Sequence, residues 1–223
     1  MILSVHQPHY LPWIGYIDKI FKSDVFVFLN NVQYKKREFQ NRNKIRIKTG
    51  WLWLTVPVIS KDKYLQRLSD VDVNNETDWV NEHWKSIEHN YSHAKFFPAF
   101  RNRFADVYQH TWQRLVDVNV RLIEIFNDIY GVRTPVHFES NLDIRTTSTQ
   151  RIIDICKKLN ADTYLSGTGG KDYMDESLFA ANGIRLVYQE FKHPVYGQVF
   201  EGFEPCMSII DHLFNCGPDL WPQ

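Results

Sequence analysis

An open, mainly parallel α/β sheet with a β-hairpin and a helical insertion is the fold that this 223-residue sequence predicts. Three observations predict it. Short apolar runs of strand length alternate with helix-like segments at both ends of the chain. A strictly alternating stretch at residues 44–48 meets a second apolar run across Thr49 and Gly50, which reads as a hairpin. Between residues 75 and 131 the apolar positions recur at helical spacing, as an insertion within a single α/β domain.

In chain order, residues 2–5 read as a buried strand and residues 13–21 as a helix. Pro12 suits that first turn, where its missing N–H needs no intrahelical partner. Residues 24–29 read as a second buried strand, and residues 44–48 and 51–58 as the hairpin arms. Val80, Trp84, Ile87 and Tyr91 mark one helix of the insertion. Leu115, Leu122, Ile125, Phe126 and Ile129 mark another, ended by Gly131, since glycine accepts the left-handed conformation of a helix C-terminus. Residues 136–138 form a strand, Thr147 or Ser148 caps a helix carrying Ile152, Ile153, Cys156 and Leu159, and strands at 163–165 and 184–188 complete the sheet.

Lys plus Arg equals Asp plus Glu at 26 each, so no global field draws the chain to nucleic acid or an anionic membrane. No run approaches the roughly 18 to 20 apolar residues of a membrane-spanning helix, and no signal pattern opens the chain. A cytoplasmic location with no membrane partner is the expectation. Cys156, Cys206 and Cys216 lack metal-ligand spacing and read as reduced thiols, so no metal site is expected.

Ligands of open α/β sheets bind beyond the carboxyl ends of the strands, where loops open into helices. Two stretches have that placement. His6-Gln7-Pro8-His9-Tyr10 follows the first strand, and Ser166-Gly167-Thr168-Gly169-Gly170-Lys171 follows the strand ending at Leu165. The glycines let backbone N–H groups approach an anion closely, although the spacing is neither a Walker A nor a dinucleotide fingerprint; a sharp turn explains them equally well. A third stretch is basic: Lys35, Lys36, Arg37, Arg42, Lys44, Arg46 and Lys48, offset only by Glu38. Lys44, Arg46 and Lys48 read as a solvated strand face. Arg37, Gln40, Asn41, Arg42 and Asn43 read as donors and amides for a polar, anionic ligand.

His6 or His9, with an ordinary imidazole pKa near 6.5, could take a proton from an attacking amine or orient a phosphate. His6 is preferred, His193 is the second candidate base, and Arg37 completes the candidate catalytic set. Tyr10, Trp13 and Tyr16 could stack on a sugar or base, with a core role as the competing reading. Asp18 and Lys19 read as opening the exposed side of the first helix with a surface ion pair, although Lys19 joins the candidate ligand contacts. Tyr173 and Asp175 could meet a sugar hydroxyl, with helix capping as the other explanation for Asp175. Tyr196 and Gln198 lie with His193 on the ligand side. "SIIDHLFNCG" reads as a helix with its glycine stop.

"HQPHYLPWIGYIDKI", "SDVFVFLNNVQYKKREFQNRNKI", "YLSGTGGKDYMDESLFAANGI", "HPVYGQ" and "SIIDHLFNCG" together resemble the WbqC-like protein family over nearly the full chain. That family occurs in bacterial gene clusters for O-antigen and other surface polysaccharides, and glycine transferases acting on amino sugars have been suggested among its members. The resemblance adds Asn31 and Gln33 to the candidate contacts. It also shows a departure, since acidic residues are usual where this chain has Asn30 and Asn31.

In layout the chain is also similar to the nucleotidyltransferase superfamily (HUP type), and to pantothenate synthetase in particular. Trp13-Ile14-Gly15-Tyr16 stands where that enzyme's ATP-binding loop ends in His-x-Gly-His, so both of those histidines are absent here. The resemblances imply transfer of a glycyl or similar small acyl unit to the amine of a sugar, nucleotide-linked or free, with Arg37 and Arg42 gripping phosphates. ATP, coenzyme A or an aminoacyl-tRNA are the open choices of activated donor, and a homodimer is compatible with the reading. The alternative is a noncatalytic sugar-nucleotide or metabolite binding protein on the same scaffold.

Overall fold

β1 (Ile2–His6) lies at the centre of a five-stranded sheet ordered β5-β2-β1-β6-β7, with every recorded pairing parallel. Its companions are β2 (Val25–Phe28), β5 (Val136–Phe138), β6 (Thr163–Ser166) and β7 (Arg185–Tyr188). The structure is a computed structural model describing residues 1–172 and 174–219. The expected open, mainly parallel sheet and hairpin are both present. Cα proximity divides the chain into two compact units: Met1–Gln7, Asp18–Val32 and Val132–Lys192 form the first, and Pro8–Ile17, Gln33–Gly131 and the chain from His193 onward form the second.

The first unit holds the sheet. A central parallel strand is covered on both faces and so reads as a nearly continuous apolar run, as β1 does. Leu3 and Val5 face a cluster with Val27, Ile152, Ile153, Tyr164 and Phe179, drawn in part from α5 (Ser148–Lys158) and α6 (Glu176–Ala181). Burying each such aliphatic side chain stabilises the fold by about 1.5–3 kcal/mol. Ser4, pointing the other way by the two-residue period, meets the end of α1 (Ile14–Phe21), where the Ser23 hydroxyl donates to it at 2.7 Å. Ser23, just past the end of α1, thus lies on the face of Ser4, and α5 and α6 on the face of Leu3 and Val5.

The second unit carries the hairpin β3 (Arg42–Ile47) and β4 (Gly50–Thr55), which pairs Lys44 with Trp53 and Arg46 with Trp51. Its helices are α2 (Trp79–Tyr91), α3 (Phe97–Tyr108), α4 (Leu115–Ile129) and α7 (Ile209–Cys216). Phe104 lies edge-on to Phe214 at 5.6 Å in their shared core. Several local expectations change. The buried stripe of α2 runs through Trp79, His83, Ile87 and Tyr91, one residue out of phase with Val80 and Trp84. α3 carried no distinct signal, because only Phe97, Phe104, Ala105, Val107 and Tyr108 of it are buried and Pro98 sits in its first turn. Arg46 does not alternate outward: it is buried, and its guanidinium donates to the carbonyls of Ile47, Gly50 and Glu201. Thr147 occupies the N-cap of α5 without a side-chain cap bond. No helix among the described residues is long and apolar enough to cross a membrane.

Candidate functional site

The sheet order reverses direction at β1. From β1 the chain builds outward through β2 and β5, then returns to place β6 and β7 on the other side. The β1/β6 boundary is thus the topological switch point, where loops diverge and leave a crevice. The ladder shows the divergence. β1 pairs with β2 through four residues and β6 with β7 through four, but β1 and β6 pair only at Ile2↔Thr163 and Leu3↔Tyr164. Beyond that point the Ser4 hydroxyl bridges the parting strands by donating to the Leu165 carbonyl at 3.0 Å.

Six sequence candidates, His6, Gln7, Ser166, Gly167, Gly169 and Gly170, gather at this end of the first unit. His6 ends β1 half-buried, with Nδ1 3.1 Å from the Gln7 carbonyl; a neutral ring donating there carries its lone pair on Nε2. Gln7 follows directly. Ser166 ends β6, and the Gly167-Thr168-Gly169-Gly170 turn starts from it as a short 3₁₀ segment, Thr168–Asp172. A Cβ on Gly170 would lie 2.0 Å from the Ser166 hydroxyl, so a larger residue there would force that side chain to shift. Gly167 and Gly169 have open space where a Cβ would be. Beside the turn, Thr168, Lys171 and residues 187–192 line an open groove of about 660 Å³, with the Lys171 ammonium 5.1 Å from the Tyr188 ring centre.

Asp18 and Lys19 differ most from expectation. Both are buried, and Asp18 pairs with Lys22 at 2.9 Å and accepts from Gln189 Nε2 at 2.7 Å. Lys19 instead donates to the Val5 carbonyl at 2.9 Å, and burial pushes its amine down to about 7. Asp175 caps α6, accepting from Leu178 N–H and the Ser177 hydroxyl, which hold its carboxyl below the usual range. Tyr173 lies outside the described residues. Asn30 exchanges two hydrogen bonds with Ser140: Nδ2 donates to the hydroxyl and Oδ1 accepts from the N–H. A carboxylate could not donate the first of these, which gives the amide a physical role at the end of β2. Asn31 beside it is half-buried.

The remaining candidates lie in the second unit. Tyr10 is fully buried, its hydroxyl bonded to His83 Nδ1 at 2.8 Å and to the Tyr108 hydroxyl at 2.7 Å, an interior arrangement. Tyr16 is 2% exposed, and His9 lies between the rings of Tyr16 and Phe39 at 5.3 and 5.8 Å. The Trp13 ring occupies the space where Gly15 would carry a Cβ. Gln33 donates to the Tyr64 carbonyl. Gln40, Asn41 and Asn43 are buried and bond largely to backbone, Gln40 accepting from Lys35 N–H, Asn41 donating to Val56 O and Asn43 to Leu11 O. Arg37 is exposed at a left-handed φ of 64°, and Arg42 donates to its carbonyl while stacking 4.3 Å above Trp53.

His193, Tyr196 and Gln198 do come together, around a residue that the sequence did not single out. Asp211 of α7 is fully buried and accepts from the hydroxyls of Tyr196 at 2.8 Å and Tyr91 at 2.9 Å and from Gln198 Nε2 at 2.8 Å. Burial raises its carboxyl above the ordinary value against the pull of those three donors. His193 stacks near Tyr196, and both its nitrogens lie within bonding reach of backbone, Nδ1 of Pro194 O and Nε2 of Cys206 N–H. An acidic residue on the inward side of an amphipathic helix, Asp211 within "SIIDHLF", was the available signal.

An open α/β unit with a histidine loop and a glycine turn at its switch point is the class that this fold and site define. The chain belongs to the WbqC-like protein family, whose model matches residues 7–221. It is 34% identical over 221 residues to a curated Mycobacterium tuberculosis protein named uncharacterized protein Rv1507c, covering 97% of this chain and 94% of that one. No solved structure matches, so the nucleotidyltransferase likeness rests on layout alone.

Proposed function

We propose that the protein is an enzyme transferring a glycyl or similar small acyl unit to the amine of a sugar, nucleotide-linked in the preferred form. What supports this reading is the end of the β1/β6 ladder at Leu3↔Tyr164, with His6 closing β1 and the glycine turn following β6 at the sheet's switch point, the position where open α/β sheets bind ligands. Family membership supplies the substrate class only as a suggestion.

In the proposed step the neutral amine attacks the carbonyl carbon of an activated donor, an acyl-adenylate, thioester or aminoacyl ester. The C–N bond forms, the bond to the leaving AMP, thiol or ribose oxygen breaks, and the proton shed by nitrogen passes to His6 Nε2. An unactivated carboxylate would not react, because the amine would be protonated and the leaving group poor. The assay is mass spectrometry of a nucleotide-linked amino sugar incubated with the protein and each donor class, ATP plus glycine among them. A mass gain of one acyl unit is the expected product, with AMP or ADP released in the ATP case. His6→Ala should retain ligand binding and lose turnover by about 10²-fold or more. Full turnover in that variant removes His6 as the base, and ligand binding without acyl product from any donor class favours the noncatalytic binding protein. Arg37→Ala and Arg42→Ala test the basic segment of the second unit separately, through binding.

A further inference from the structure

Successive carbonyls of an extended strand point to opposite sides. His6 O accepts from Leu29 N–H on the β2 side, so Val5 O faces the β6 side, beyond the last β1/β6 pair at Leu3↔Tyr164. In a continuing ladder a β6 N–H would take that carbonyl. Here the Lys19 side-chain nitrogen takes it, which places an amine beside the end of the β1/β6 ladder.

The amine is otherwise under-satisfied. It is 4% exposed and has three N–H donors, and Val5 O is the acceptor recorded for it among the described residues. No carboxylate pairs with it there: the adjoining Asp18 is committed to Lys22 and Gln189. A buried ammonium lacking a counter-ion is strongly disfavoured, and burial accordingly brings its pKa to about 7. Of the other titratable and charged groups at this end of the unit, Asp172, Glu190 and Lys192 are exposed at the glycine turn and after β7, and three more are engaged. His6 bonds to Gln7 O, Lys22 reaches Asp18 and the Glu190 carbonyl, and Lys171 lies over Tyr188.

We propose that Lys19 is the cation that receives a substrate oxyanion, a carboxylate or a phosphate, in the gap between β1 and β6, taking up a proton as the anion enters. The inference rests on the reading of this crevice as the binding site, and it does not depend on the acyl-transfer chemistry assigned to it. The incoming oxygen supplies both the missing acceptor and the missing negative charge. A charged amine throughout would attract any anion at the surface, whereas a neutral amine that protonates on binding is stabilised only when a ligand fills the gap.

The test is a pH titration of the Lys19 Cε resonance in ¹³C-lysine-labelled protein, assigned by its loss in Lys19→Arg. The free protein should titrate near 7. Saturation with inorganic pyrophosphate in one arm, or with glycine in the other, should raise the midpoint by at least one unit, a tenfold preference of the anion for the protonated form. The arm that moves it identifies phosphate or carboxylate as the ligand group. Calorimetry in buffers of different ionisation enthalpy should show proton uptake near pH 8 in the wild type. Lys19→Arg should bind without uptake, and Lys19→Met should bind at least tenfold more weakly. A midpoint unmoved by millimolar concentrations of both anions, or equal affinity in Lys19→Met, would overturn the proposal whether or not acyl transfer is found.

Discussion

Lys19 should make the unliganded protein less stable than a variant without it. An amine that titrates at about 7 when folded and near 10.5 when unfolded gives the unfolded state more bound protons throughout that interval. Stability is therefore lost as pH falls from 10.5 toward 7 and the loss is complete below 7. Lys19→Met keeps the length and removes the charge, at the expense of one hydrogen bond to Val5 O. An amine moved from 10.5 to about 7 carries roughly 4–5 kcal/mol of pH dependence, so relative to the wild type the variant should gain about that much between pH 10.5 and 7, with the lost hydrogen bond subtracted at every pH. Its melting-temperature advantage should be largest at pH 7 and smallest above pH 10. A lower melting temperature at pH 7 would contradict the unpaired-charge account. At this scale the sequence was legible where chemistry and position coincide, as at His6 and Ser166. It was not legible at Asp18, Lys19 and Asp211, because charged residues on a helix read as its outer face. Burial of these three is decided by what packs over them.

The elements show a similar division. Strand positions were legible because buried parallel strands are short apolar runs bounded by turn residues, and β1, β2 and β6 fit that pattern. The phase of α2 was not, since His83 is a buried face residue and Trp84 only half-buried. The glycine turn offers a direct test of what its sequence requires. Gly170→Ala would push its Cβ against the Ser166 hydroxyl at 2.0 Å and should destabilise the protein by about 1–3 kcal/mol in chemical denaturation. The clash involves one side-chain oxygen, with the Ser166 Cβ at a tighter-than-usual but tolerable 3.2 Å. Ser166→Ala in the same chain should therefore recover at least half of the loss, a coupling that independent sites would not show. Equal losses in the single and double variants would mean that the turn's backbone, rather than this contact, sets the need for glycine.

For the whole molecule, the acid limit of stability should be set in large part by two buried histidines of the second unit. His83 and His212 are 6% and 4% exposed, and each is lowered from 6.5 to about 4, chiefly by burial. Their Nδ1 atoms meet the hydroxyls of Tyr10 and Tyr130, so the neutral rings are satisfied inside the core. Above pH 6.5 both rings are neutral, folded or unfolded, and contribute no pH dependence. Below it the unfolded chain takes up protons that the folded rings refuse, and stability falls until about pH 4, where the difference saturates. Two and a half units apiece correspond to roughly 3 kcal/mol each. Together these approach the 5–15 kcal/mol total that folded domains possess. Asp211 acts in the opposite direction: its raised carboxyl retains a proton where the unfolded carboxyl has lost it, so its contribution grows on acidification toward 3.8 and offsets part of the histidine effect. Denaturation measured at half-unit steps between pH 7 and 4 should show a slope near pH 5 of about 2.7 kcal/mol per pH unit from the two rings, before Asp211 is subtracted. Replacing either histidine by Gln, which can still bond to its tyrosine, should reduce that slope by about 1.4 kcal/mol per unit. An unchanged slope in the double variant would show that the acid sensitivity arises from carboxylates instead, and that the aromatic core around Tyr10 and Tyr130 tolerates charge better than its burial implies.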